Sequence, residues 1–133
     1  MNHLEGKSGF ISEEYSENGT SERLYFSAEN GKKIDAVRQE IEHWKLSQKI
    51  NENQYYFLLC SLLEAADRIA NTASVYGAFL KQIKKSAQKK LEILPADFEP
   101  TKNQHDVYNE DANELIKTIE GDILYLDPPY NAR

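Results

Sequence analysis

The stretch Asp122-Ile-Leu-Tyr-Leu-Asp-Pro-Pro-Tyr130, near the end of a 133-residue chain, constrains the local fold more than any other. Its apolar, β-branched and aromatic run reads as a buried strand. Two consecutive prolines end it, because neither can donate to a sheet ladder and each fixes its own φ. A carboxylate, Asp127, and a phenol ring, Tyr130, are thereby delivered to one rigid point beyond the strand's carboxyl end. Open α/β sheets bind their ligands at that end.

The residues upstream fit a parallel unit. Residues 105–109 read as a short strand, 112–119 as a helix with Leu115, Ile116 and Ile119 inward, and 122–126 as a second strand. A strand, crossover helix and strand in this order form a right-handed parallel pair. Asp111 then shares the carboxyl edge with Asp127. As a preferred capping residue, Asp111 equally suits the N-cap of the helix that follows it.

The rest of the chain is helical in pattern. Residues 1–31 form a polar, loop-rich segment in which Asn18-Gly19 and Asn30-Gly31 are turn signals. A helix is expected over about 32–47, where Ile34, Val37, Ile41 and Trp44 lie on one stripe. A second begins near Asn51, where Asn51 and Gln54 resemble a capping box. Tyr55, Phe57, Leu58, Leu62, Leu63 and Ile69 make it apolar over much of its surface, so it reads as the central, most buried helix. Ala70 and Ala73 extend it, and Pro95 and Pro100 end a helical region spanning 32–100. The strand-helix-strand portion occupies 101–133.

Charge is distributed unevenly. The net charge of −6 argues against a nucleic-acid partner, but residues 81–90 carry five lysines and no acid, whereas the first 22 residues carry five glutamates and one lysine. Phosphate contacts are made by local basic patches, so Lys81, Lys84 and Lys85 are candidates. The alternative is a solvated helix end, where the dipole favours cations. Trp44, Tyr55 and Tyr56 are spaced as core aromatics, while Tyr76, before Gly77 at an apparent helix break, is the better candidate for facing a ligand. The single cysteine, Cys60, reads as a reduced core residue. His3, His43 and His105 match no zinc spacing. With no membrane-length apolar run and no signal peptide, a cytoplasmic protein is expected.

The Asp127-Pro-Pro-Tyr130 sequence resembles motif IV of the amino-methyltransferases. Gly9-Phe-Ile, Arg23-Leu-Tyr-Phe-Ser, Asn30 to Arg38, Ala70 to Lys81 and Asn109-Glu-Asp-Ala extend the likeness, and together they are similar to the middle of a D12-class adenine-specific DNA methyltransferase. The resemblance implies an α/β, partial Rossmann-like fold: a mostly helical target-recognition insert followed by a β-α-β unit. It implies S-adenosylmethionine as cofactor, held by Asp111, Ala112 and Asp127. Asp127, Pro128, Pro129 and Tyr130 would be the catalytic loop, with Asp127 and the Pro128 carbonyl accepting the adenine NH2 and Tyr130 stacking on a base flipped from duplex DNA. Tyr76, Lys81, Lys84 and Lys85 would then contact DNA.

The family's glycine-rich motif I has no counterpart in residues 1–30, so the chain reads as an internal piece of a larger or split enzyme, inactive alone. Two other readings remain: a non-catalytic helical module that binds DNA or protein, and a fragment of an enzyme like the ribosomal-RNA guanine-N2 methyltransferases.

Overall fold

The structure, a computed structural model, describes residues 1–21, 23–73 and 78–127. Its regular elements among these are α1 (Phe10–Glu14), α2 (Ala28–Leu46), α3 (Glu52–Ile69), a 3-10 turn (Lys85–Gln88) and α4 (Ala112–Leu115). The chain divides into two compact units, Met1–Phe98 and Glu99–Arg133.

Helix α2 forms because apolar side chains recur at helical spacing and its first turn is capped. Ser27 Oγ accepts the Asn30 N–H at 3.3 Å. Ile34, Val37 and Ile41 are buried on the expected stripe, and Trp44 is half-buried at its end. The helix starts four residues earlier than the periodicity suggests, because that cap and the side chains of its first turn carry it back. It stops where Gln48 adopts a positive φ of 57° and the Lys49 N–H returns to the Trp44 carbonyl at 2.9 Å.

Helix α3 opens with the capping box read in the sequence. The Asn51 side chain accepts from Gln54 N and the Gln54 side chain from Asn51 N, each at 2.9 Å. Tyr55, Leu62, Ala65, Ala66 and Ile69 turn inward and close a core with the α2 stripe, Phe26 and Leu91. Burying a large aliphatic side chain of this kind contributes about 1.5–3 kcal/mol. The helix is not buried all round, as its composition suggested. Leu63 is 70% exposed, Phe57 is 36% exposed, and Cys60 is a surface residue, contrary to its reading as a core thiol. The reason is rotational: 56, 60 and 63 share a stripe facing away from α2.

The amino-terminal segment is packed onto α2 rather than looped out. Asn18, with φ of 62°, makes the expected turn at Asn18-Gly19. Asn30-Gly31 does not turn; both residues lie in the first turns of α2. Gly31 is needed there because a Cβ would collide with Ser16 Oγ. Asp35, buried on α2, accepts the N–H groups of Ile11 and Ser12 at the start of α1, at 3.0 and 2.8 Å.

After Ile69 the chain departs from expectation. Helix α3 does not run on through Ala70 and Ala73, since Ala70 is already extended. The backbone from 78 to 98 is irregular apart from the 3-10 turn, so the lysines at 81–90 are not on an α-helix. Backbone groups outside any helix or ladder still need partners, and side chains supply several of them. Asn2 pairs with both backbone groups of Ile93, Asn30 serves 87–91, and Ser61 Oγ accepts the Ala96 N–H at 2.9 Å.

In the second unit, the expected β-α-β arrangement is not formed among the described residues. Residues 105–109 and 122–126 belong to no ladder, and the helix is one turn, Ala112–Leu115, instead of 112–119. Val107, Ile123 and Tyr125 are 94%, 90% and 83% exposed. A lone parallel pair buries neither face, and parallel strands ordinarily require neighbouring strands and covering helices on both sides. Among the described residues, no helix is long and apolar enough to cross a membrane.

Candidate functional site

Two groups of sequence-predicted residues fall in the two units. In the second unit, Asp111 is the N-cap of α4, its Oδ1 accepting the Asn113 N–H at 2.8 Å. The capping role is therefore real, and it uses only part of a carboxylate's acceptor capacity, leaving Oδ2 able to accept from a ligand amine. Ala112 is the first helical residue behind it. Asp127 is exposed. With no ladder between 105–109 and 122–126, the sheet edge expected to join Asp111 to Asp127 is not formed. Pro128, Pro129 and Tyr130 lie outside the described residues, as does Tyr76.

In the first unit the lysine segment is built around Asn71, which is fully buried. Its amide nitrogen donates to the carbonyls of Leu24 and Leu80, at 2.8 and 2.9 Å, and its Oδ1 accepts the Lys84 N–H at 3.0 Å. Its backbone N–H reaches the Tyr25 carbonyl at 2.8 Å, and its carbonyl accepts from Leu80 N at 3.0 Å. Thr72 and Phe79 pair as an antiparallel bridge, and Phe79 packs against Tyr25 with ring centroids 5.2 Å apart.

This frame separates the three lysines. Lys81 and Lys85 are exposed. Lys84 is half-buried, and its ammonium donates to the Thr72 carbonyl at 2.7 Å. Further along, Asn30, also buried, donates to the carbonyls of Ala87 and Lys89 at 3.2 and 2.8 Å and accepts from Leu91 N at 2.9 Å. Lys90 approaches Glu29 at 3.9 Å, with both side chains largely exposed, so that pair holds little.

Asn30 and Asn71 were missed as organising residues. In the sequence Asn30 is half of a turn signal, and Asn71 falls within the apparent extension of the second helix. Their partners lie up to 61 residues away, and no local pattern announces them.

A third cluster joins the two long helices. Arg38 donates to Glu42 at 2.6 Å and to the Tyr55 hydroxyl at 3.2 Å, and that hydroxyl donates to Glu42 at 3.0 Å. The Lys45 ammonium sits 4.0 Å from the centroid of the Tyr55 ring. The hydrogen bond from Arg38, then that from Tyr55, holds the Glu42 carboxyl below its ordinary range. Glu42 in turn raises the Arg38 pKa. Tyr55 is thus a core aromatic with a satisfied hydroxyl, not a base-stacking ring. Among the described residues no group of three His, Cys, Asp or Glu side chains converges as a metal site.

Comparison with known proteins places these features in a family. The family model of the D12 class N6 adenine-specific DNA methyltransferases matches residues 5–133. The Type II methyltransferase M.NlaIII of Neisseria lactamica is 61% identical over 133 residues, all of this chain and 40% of the relative. The Type II methyltransferase M.CviAII of Paramecium bursaria Chlorella virus 1 is 44% identical over 126 residues, 94% of this chain and 36% of the relative. The modification methylase StsI of Streptococcus sanguinis is 45% identical over 114 residues, 86% of this chain and 18% of the relative. The chain thus spans less than half the length of these relatives. No solved structure matches it. A match over nearly every residue, running through Asp111 and the Asp127-Pro-Pro-Tyr130 sequence, shows that the chain belongs to the D12 class of N6 adenine-specific DNA methyltransferases.

Proposed function

We propose that this chain is part of a Type II DNA methyltransferase that moves a methyl group to adenine N6. The observation that carries this reading is the family match, which extends through Asp127 to the end of the chain. The helical unit would belong to DNA recognition, and the second unit would complete a Rossmann-like sheet with strands from the rest of the enzyme.

S-adenosylmethionine, when bound, supplies an electrophilic methyl group on sulfur. Asp111 suits a place beside it because the carboxylate keeps acceptor capacity after capping α4; Ala112 and Asp127 are the other residues proposed to hold it. The chain's own contribution to the chemistry rests on Asp127. The adenine amine is a weak nucleophile because its lone pair is delocalised into the ring. An acceptor at Asp127 and a second at the Pro128 carbonyl would bind the two N–H groups and localise that lone pair toward the methyl carbon. The N–C bond would form as the methyl–sulfur bond breaks, its electron pair staying on sulfur to leave a neutral thioether, and one N6 proton would pass toward these acceptors. The consecutive prolines would fix both at constant spacing, which would be electrostatic preorganisation. Tyr130 would stack on the adenine once it is flipped from the duplex. Lys81 and Lys85 would contact phosphates.

The test is Asp127→Ala in the full-length methyltransferase, followed by single-turnover methylation of adenine-containing duplexes. Loss of one preorganised group should lower the rate by about 10² to 10³, far more than it lowers cofactor affinity. A near-normal rate would remove Asp127 from the chemistry.

A further inference from the structure

We propose that Asn71 and Lys84 form an internal clasp that positions the lysine segment for DNA phosphates, with Lys84 itself withheld from the DNA. The proposal rests on the DNA-binding reading above and changes which residues carry it.

Lysines in irregular backbone are poor phosphate ligands unless something holds the backbone, because an unrestrained segment must be ordered on binding. Here the ordering is already done. Asn71 ties Leu80 through both backbone groups and Lys84 through its N–H. The Lys84 ammonium closes the same ring on the Thr72 carbonyl at 2.7 Å. Asn30 fixes Ala87, Lys89 and Leu91 at the far end, and Ala87 is fully buried beneath the 3-10 turn. Between these fastenings Lys81, Lys85 and Lys89 are exposed, and the stretch 81–90 contains no acidic residue. The asparagine is suited to its place: with two donors and an acceptor it matches two carbonyls and one N–H, and all are used.

Lys84 therefore differs from its neighbours in kind. Lys84 is half-buried and its ammonium is tethered to the Thr72 carbonyl, so it must give up that bond to reach a phosphate; while it stays in place it neutralises none and releases none of the DNA's counterions. Its removal should loosen the frame without subtracting a phosphate contact. The salt dependence of binding separates these roles, since each lost phosphate contact lowers the slope of log Kd against log salt by about 0.9.

The experiment compares Lys81→Gln, Lys84→Gln, Lys85→Gln and Asn71→Ala in the full-length methyltransferase. Two readouts are taken: binding to a random-sequence DNA duplex across a salt series, and amide hydrogen exchange at Leu80 and Lys84. Lys81→Gln and Lys85→Gln should each lower the slope by about 0.9 and leave exchange unchanged. Lys84→Gln should keep the slope, raise Kd by about two- to tenfold at every salt, the size of one hydrogen bond, and speed exchange at both amides. Asn71→Ala should speed the same exchange more strongly; if it does not fold, Lys84→Gln still decides. A slope reduced by Lys84→Gln as much as by Lys81→Gln would make Lys84 a phosphate ligand and overturn the proposal. Unchanged Kd and exchange in Lys84→Gln would overturn it too. If Lys81→Gln and Lys85→Gln leave binding unaltered, the segment is not a DNA surface and the proposal falls with it, whereas the methyl-transfer reading stands or falls with Asp127→Ala.

Discussion

The Asp35 carboxylate accepts the Ser12 N–H at 2.8 Å from 23 residues away, and its other oxygen accepts the Ile11 N–H at 3.0 Å. One buried side chain on α2 thus satisfies two of the open amides at the start of α1, which an isolated five-residue helix could not hold. Gly9 completes the contact, because a Cβ there would lie 2.8 Å from Asp35 Cγ.

Asp35→Ala leaves two donors without partners, and each such group costs about 1–3 kcal/mol. Chemical denaturation should show a loss of at least that size, with Asp35→Asn milder because one oxygen remains. Equal stability of Asp35→Ala and the parent would show that α1 does not depend on this contact.

Gly31→Ala tests the packing of the same segment. The new methyl group meets Ser16 Oγ and Cβ, and neither can move far, because the Ser16 hydroxyl donates to the Ile11 carbonyl at 2.9 Å. Overpacking of this kind costs about 1–3 kcal/mol. In an ordinary exposed helix the same change would stabilise by up to about 1 kcal/mol, so the sign of the shift in Tm is decisive.

Glu42 gives a pH dependence. Its carboxyl is held below the ordinary range in the folded state, first by the Arg38 hydrogen bond and then by Tyr55. As pH falls, the unfolded chain takes up this proton before the folded one does. The contribution to stability is therefore present above the ordinary glutamate pKa of about 4.3 and is lost as pH drops through the lower folded value. The stability difference between the parent and Glu42→Gln should shrink on going from about pH 7 to about pH 3. A constant difference across that range would mean the pair does not titrate as the structure requires.

Tyr130 offers a test on the DNA side. If Tyr130 stacks on the flipped base as proposed, Tyr130→Ala in the full-length enzyme should weaken its capture by about 1–3 kcal/mol, and Tyr130→Phe should be mild because a stacking contact is made by the ring face. Fluorescence of 2-aminopurine at the target position reads the flipped state directly. A Phe variant as impaired as the Ala variant would shift the role to the hydroxyl.

The features legible in the sequence are those whose partners are local. The stripe of Ile34, Val37 and Ile41 has helical spacing, and the Asn51 and Gln54 cap spans three residues. Asp127-Pro-Pro-Tyr130 carried the family resemblance by residue identity alone, and the family match runs through it. The stop of α3 at Ile69 was not legible, since it depends on Asn71 being drawn to Leu24, Tyr25 and Leu80. The strands at 105–109 and 122–126 have strand composition, but a strand exists only with a neighbour to pair with. Pattern alone could not say whether that neighbour lies within this chain.

The surface position of Cys60 has a practical consequence. It is the chain's sole thiol, set between Tyr56 and Leu63 on the outer stripe of α3. A maleimide fluorophore or nitroxide would therefore attach at one known point without any cysteine engineering in these residues.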